Sequence, residues 1–413
     1  MNILYLHQYF TTRNRQGGTR SYELARNLVK LGHKVTMITS GLMNDEFPVS
    51  KNKVFEQYET EGIRVIPIAA GYADTRKGTG IAGWQRMIKF LDFSRLASKV
   101  GKKFEKPDIV FATHTPLPIG IAGIKLGRHF QVPFIFEVRD LWPDALINVG
   151  ALKNPVVIFW LRRMEKKIYH AANHIVALSP GMKKGICKGG IAEEKVTVIP
   201  NASDLDLFQP GLDGSIAEKK LKVGGRFSAI YFGAMGIANG LDYTVKAAQI
   251  LKKRGRDDIA IILHGDGGER QNLERMVKKW SLDNVIFSSP VPEKEEMARI
   301  VAGCNACMTI YKATKEESWS PNKLFDALAA GKPVLINVNG WLREIVEENG
   351  CGRYVDPANP EDLANSLEIL ANDKEKCKGM GQNARTLAEN EFARKKLVKK
   401  LENVFVNALR SHP

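Results

Sequence analysis

No apolar run in the 413-residue sequence approaches the roughly 18 residues needed to span a bilayer, so no transmembrane helix is expected. The chain has only five cysteines: Cys187, Cys304, Cys307, Cys351 and Cys377. That odd number in a long chain argues against a disulfide framework and for a reducing compartment. Cys304 and Cys307 form a lone CxxC with no second pair and no His nearby, and they read as ordinary buried thiols. The stretch Met1–Leu6 lacks a basic segment and a cleavage site, so it reads as a first strand rather than a signal peptide. With 44% apolar and 26% charged residues, the composition excludes disordered and collagen-like chains. The length suits two or three domains with full cores.

Charge of one sign is scarce in one half only. Residues 1–200 hold 30 Lys and Arg against 16 Asp and Glu, whereas residues 201–413 hold 31 against 29. The excess of +14 in the first half points to an anionic partner: nucleic acid, an anionic lipid surface or a phosphorylated substrate. No helix-turn-helix, zinc-finger or aromatic RNA-binding signature is present, so nucleic acid is not the expected partner.

Short apolar runs alternate with helical periodicity along both halves. Strands are expected at 2–6, 35–39, 65–68, 109–112, 133–138, 175–178 and 196–199, with a helix at 156–170. The pattern restarts at 228–233 and continues through 260–265, 285–288, 306–311 and 333–337. Alternation of this kind implies parallel sheets covered on both faces. We therefore expect an α/β protein with a first domain over 1–203, a linker at 204–225 and a second domain over 226–394. The final helix, about 395–413, is expected to pack back on the first domain. Ligands of such sheets bind beyond the carboxyl ends of the strands, here in a cleft between the domains.

The most informative segment is Glu316-Glu317-Ser318-Trp319-Ser320-Pro321-Asn322-Lys323-Leu324-Phe325-Asp326 followed by Ala-Leu-Ala-Ala-Gly-Lys-Pro-Val. Ser320 suits an N-cap and Pro321 the first turn of a helix. The open N–H groups of that helix start, with Lys323, can hold a phosphate. Asp326, one turn on, can accept hydrogen bonds from a ribose diol; a merely capped helix with solvated charges is the alternative. Gly17 and Gly18 precede another helix start and allow close approach of a diphosphate, or else form a tight turn. Arg20 can reach phosphate or lie on the outer face. Asp204-Leu205-Asp206 has the form of a metal-binding DxD, but two carboxylates alone make a poor site, and no metal is expected.

The string SPNKLFDALAAGKPV resembles the donor-site segment of retaining glycosyltransferases of family 4, which have the GT-B fold. Three further segments resemble the same family: NILYLHQYF with GGTRSYELARNLVKLGHKVTMITS, VTVIPNASDLDLFQP, and IYFGAMGIANGLDYTVKAA. The resemblance spans essentially the whole chain and implies two Rossmann-like domains facing each other across a cleft. It places Asp326 at the family's second acid, with Glu317 (or its neighbour Glu316) as candidate first acid nine residues earlier. The loop Gly233–Gly240, with Gly236, lacks the family's Arg and Lys. Lys323 is then the best substitute as catalytic cation, with Arg270 as a second candidate; Ser320 and Asn322 complete the donor side. In FIFEVRDLWPD, Arg139 stands where many relatives have His, beside Asp140. Pairing of Arg139 with Asp140 or Asp144 is the structural alternative to a ligand role.

The EVRDLWP wording resembles the branch that transfers deoxy-amino sugars such as N-acetylfucosamine. The resemblance implies transfer, with retention, from a UDP-sugar to a lipid-diphosphate-linked saccharide on the cytoplasmic membrane face, without a metal cofactor. A UDP-sugar 2-epimerase of the same fold is the rival activity. The acceptor and anionic-membrane side is expected at Arg76–Lys106, with Trp84, Arg86, Lys89, Phe93 and Arg95, and His114 lining the cleft. A core-packed helix with a solvated basic face is the alternative there.

Overall fold

The computed structural model describes residues 1–15, 18–72, 83–148, 150–202, 205–313 and 318–412, the side chain of Trp84 excepted. The chain divides into two units. The first holds the chain up to Pro200, apart from a short loop near residue 13, together with the terminal segment from Leu397. The second holds Asn201–Lys396.

The first unit contains an eight-stranded sheet: β1 (Asn2–Leu6), β2 (Lys34–Ser40), β3 (Tyr58–Thr60), β4 (Ile63–Ile68), β5 (Ile109–Thr113), β6 (Phe134–Val138), β7 (His174–Ala177) and β8 (Val196–Val198). The spatial order is β3-β4-β2-β1-β5-β6-β7-β8. All pairs are parallel except β3 with β4. Strands β5 and β6 are buried throughout, which is why they read as unbroken apolar runs. Leu4, Leu6, Val110, Ala112, Phe134 and Phe136 pack against helical Phe93, Ala97, Leu126 and Ile168. The terminal helix is seated on this unit by Phe405 against Phe111, with ring centroids 5.2 Å apart, and by Glu402, 2.8 Å from His33 Nε2.

The second unit contains a six-stranded parallel sheet: β9 (Phe227–Phe232), β10 (Ile259–His264), β11 (Val285–Ser288), β12 (Ala306–Thr309), β13 (Val334–Ile336) and β14 (Gly352–Tyr354). Its order is β11-β10-β9-β12-β13-β14. Successive β9 residues serve opposite faces: Ile230 and Phe232 pack with Leu324, Phe325 and Leu328, and Ala229 and Tyr231 with Val245 and Leu251.

The stretch expected to be a linker differs. The described part of 204–225 belongs to the second unit. It carries a helix, Ser215–Leu221, and buries Phe208. Arg385 Nη1 donates to the carbonyls of Phe208 (2.9 Å) and Ala329 (2.7 Å), stitching the segment to the core. Its Asp, Gly and Pro content reflects turns between packed pieces, not a free tether. Among the described residues no helix is long and apolar enough to cross a membrane.

Candidate functional site

In the second unit the chemistry gathers at the carboxyl ends of β9, β10 and β12. The loops after β9 and β10 continue side by side. Gly233 N donates to His264 O (3.0 Å), Met235 N to Asp266 O (2.8 Å) and Gly265 N to Ser288 O (2.9 Å). Gly265 and Gly267 have φ of +148° and +155°. A Cβ on Gly265 would lie 1.9 Å from Gly233 O, and one on Gly267 2.5 Å from Met235 O. Only glycine permits this approach.

After β12 the chain turns back through Tyr311 and Trp319, whose rings stack at 4.3 Å. A helix, Asn322–Ala329, follows. Its N-cap is Pro321 and no side chain caps it. Ser320, expected there, is one residue too early. Its hydroxyl and carbonyl instead accept from Asn201 N (3.1 Å) and Nδ2 (2.5 Å). The first-turn N–H groups thus keep no side-chain cap.

Lys323 is on that first turn. Its Nζ lies 3.8 Å from the Tyr231 ring centroid and 5.5 Å from that of Tyr311. A Cβ built on Gly233 would approach it to 3.3 Å. Among the described residues no hydrogen bond or ion pair holds the ammonium, and desolvation pushes its pKa down to about 7. The face of Tyr231 works in the opposite direction, favouring the charged form. A desolvated cation with no counter-ion is a site prepared for an anion. Asn322 is half-buried beside Lys323. Asp326 is buried, and close enough to Cys307 to raise that thiol further.

Arg270 is engaged elsewhere. Its Nη1 donates to Gly265 O (2.7 Å) and Ser288 O (3.3 Å), and Nε donates to Glu274 (2.8 Å). The guanidinium ties the ends of β10 and β11 together, so its expected diphosphate role becomes one of holding the loop. Gly236 N donates to Asn239 Oδ1 at 3.1 Å.

In the first unit a second cluster lies at the ends of β1, β5 and β6. Arg20, at the start of the helix Arg20–Lys30, is buried. Its Nε and Nη2 donate to Glu137 Oε1 at 3.0 and 2.8 Å, and its Nη1 and Nη2 to Pro200 O and Ile199 O at 2.7 and 2.9 Å. Thr113 Oγ1 donates to Glu137 Oε2 at 2.8 Å. Arg20 is therefore a structural latch.

Arg139 is not. Among the described residues no ion pair joins it to Asp144, which holds Arg162 at 2.7 Å. A Cβ on Gly18 would meet Arg139 Nη2 at 3.3 Å. Its charge helps keep two buried histidines neutral, although desolvation is the larger cause for both. His7 is held well below its ordinary pKa, and His114 falls to about 3. Both ring nitrogens of His114 are buried without a hydrogen-bond partner, and its ring stands 5.3 Å from that of Trp142. Gly18, the uncapped helix start and Arg139 together form a corner that can hold an anionic group.

The residues 17–207 match the family model Glycosyltransferase Family 4, and 214–387 match Glycosyl transferases group 1. The chain belongs to the group 1/family 4 superfamily of GT-B glycosyltransferases. D-inositol 3-phosphate glycosyltransferase of Paenarthrobacter aurescens is 26% identical over 284 residues, 66% of each chain; our chain thus spans about two thirds of that relative. A protein of Escherichia coli named as the colanic acid biosynthesis glycosyl transferase WcaI is 21% identical over 84% of this chain and 86% of its own. The structure of Anabaena HepE in complex with UDP superposes with a TM-score of 0.71 at 16% identity, over 98% of this chain and 100% of that one. The matching models describe transferases, and neither the epimerase nor the nucleic-acid reading gains support.

Other expected residues of this glycosyltransferase fall as follows. Gly17, Glu316, Glu317 and Asp204 lie outside the described residues, as do residues 73–82 and the side chain of Trp84. Among the described residues, the helix Gly83–Gly101 keeps its aromatic rings inside. Phe93 is fully buried beside Gly71, and Phe90 packs inside near Tyr72. Lys89 is half-buried and Arg95 exposed, while Arg86 acts on Tyr9. Its described outer side joins exposed Ile88 and Leu91 to the exposed cations Arg95 and Lys99. Among the described residues no group of three or more His, Cys, Asp or Glu is arranged to hold a metal. Sequence reasoning missed the Tyr231–Tyr311 enclosure of Lys323, because no local pattern announces which rings meet a lysine from another strand end.

Proposed function

We propose that this glycosyltransferase moves a sugar, with retention of configuration, from a UDP-sugar to a lipid-diphosphate-linked saccharide at the anionic cytoplasmic face of a membrane. The observation that carries the reading is the Lys323 ammonium, unpaired among the described residues, at an uncapped helix start beside Gly233. The donor diphosphate supplies the missing counter-charge, and the same cation meets the charge that grows as the sugar departs. Asp326 accepts from the ribose hydroxyls, and Arg139 with Gly18 serves an anionic group on the first unit. The UDP complex of HepE supports the nucleotide, and the name of the WcaI relative supports surface-polysaccharide assembly. The EVRDLWP segment supports an N-acetylated deoxy-amino sugar. Lys323 and the helix start take the part of a metal, so none is required.

Calorimetric titration with UDP tests this. UDP should bind equally well after exhaustive chelation. Asp326→Ala, with an unchanged melting temperature, should weaken binding by about 1.5–3 kcal/mol, the range for a charge-assisted hydrogen bond. No binding of UDP, or binding restored only by magnesium or manganese, overturns the proposal.

A further inference from the structure

The helix Pro155–Ala171 in the first unit carries an unusual outer face. Asn154 caps it, accepting from Val156 N (2.9 Å) and Val157 N (3.2 Å), and Pro155 occupies the first turn. Leu161, Ile168 and Tyr169 fix the inner side in the core. At 100° per residue that leaves Val156, Phe159, Trp160, Arg163, Lys166 and Lys167 on the outer side. Val156, Phe159 and Trp160 are 62%, 60% and 61% exposed. Phe159 and Trp160 meet edge to face, 6.0 Å apart. Two adjacent rings exposed to this degree on one helix are costly in water. The next two turns of the same face are basic. Arg162 is paired with Asp144, but among the described residues Arg163, Lys166 and Lys167 enter no ion pair. Glu165, the helix's one acid, is turned inward, where burial raises its pKa to about 7 and diminishes its negative charge.

We infer that this helix lies in the headgroup boundary of an anionic bilayer, with Phe159 and Trp160 inserted and Arg163, Lys166 and Lys167 on the phosphates. An apolar end continued by unpaired cations suits a lipid surface: rings take the acyl boundary and cations the phosphate layer. The inference deepens the proposed function, resting on its membrane-linked acceptor, and moves the contact from the Gly83–Gly101 helix, whose Phe90 and Phe93 are inside. It also gives a use to part of the +14 excess of the first half.

The test is flotation of the full-length protein with vesicles of 30% phosphatidylglycerol in phosphatidylcholine, and with pure phosphatidylcholine. Binding should favour the anionic vesicles and weaken with salt. Each cation removed should cost about fivefold in partition, so R163E/K166E/K167E, whose new carboxylates add repulsion, should lower it by at least about a hundredfold. A ring that inserts half its surface contributes on the order of fiftyfold, so F159S/W160S should also abolish recovery. R95E/K99E/K102E, with the same charge change on the helix Gly83–Gly101 and the turn that follows it, should retain most binding. UDP titration of every variant should match wild type; failure of that titration in all proteins strikes the UDP-sugar donor of the proposed function alone, whereas failure of wild-type flotation overturns this inference and leaves the donor reading standing. Wild-type recovery of F159S/W160S, equal loss in the R95E/K99E/K102E control, or a dimer in sedimentation that F159S/W160S dissolves would each overturn the bilayer assignment.

Discussion

At the scale of single residues, Lys323 makes a prediction through its proton. Desolvation holds it at about 7 in the free protein, against an unfolded value near 10.4. An arriving diphosphate favours the charged form and raises that pKa. Above pH 7, binding must therefore take up a proton. UDP affinity should be nearly constant just below pH 7 and should fall towards tenfold per pH unit between about 7 and 9. Calorimetry near pH 8.5 in buffers of different ionisation enthalpy should report uptake approaching one proton, absent in Lys323→Met. Affinity that stays flat from pH 7 to 9 would show that Lys323 keeps its proton throughout. Lys323 was legible in the sequence because its neighbours form one continuous motif. The state of Arg139 was not. Asp140 and Asp144, close by in sequence, suggested a pair, yet Asp144 is taken by Arg162, 18 residues on. Arg20 likewise found Glu137 across 117 residues, a distance over which no local pattern operates.

At the scale of elements, the loops after β9 and β10 depend on backbone contact rather than side chains. Gly265→Ala would place a Cβ 1.9 Å from Gly233 O at a φ of +148°. The two loops would have to part, at a cost of about 3 kcal/mol. Urea denaturation should register that loss, and UDP binding should weaken with it. Gly268→Ala, where a Cβ meets nothing within 4 Å, should change stability by no more than about 0.5 kcal/mol. Most strands were readable because central parallel strands are apolar throughout. The edge strands β3 and β14 have three residues each and lack such a run. The helix at 155–171 was readable as an element, but its orientation was not. Val156 to Leu161 are six apolar residues in succession, so periodicity could not say that Phe159 and Trp160 face out. The same limit holds for Gly83–Gly101, where spacing alone could not tell that Phe90 and Phe93 pack inside.

For the whole molecule, titration of buried groups fixes how acid acts on the fold. His7, His114 and His264 are all buried, and desolvation holds each below its ordinary value: His114 at about 3 and His264 at about 4. The folded protein keeps them neutral while the unfolded chain protonates them near 6.5. Their contribution to stability is thus complete above about pH 6.5 and is lost as pH falls towards the folded values. Glu165 works the other way: raised to about 7, it keeps a proton in the fold that the unfolded chain releases above about 4.5. Three protons gained on unfolding, with a further fraction from His174, which burial also lowers, against one lost leave a net of at least about two. Stability should therefore drop on the order of 3 kcal/mol per pH unit between pH 6 and 5. Denaturation at pH 7, 6 and 5 would measure this, and a flat or rising profile would refute it. His114→Phe isolates one proton. Its ring nitrogens have no hydrogen-bond partner to lose, and its surroundings are Phe136 and Trp142. That variant should fold, and its acid slope should be shallower by about 1.4 kcal/mol per pH unit, the worth of a single site.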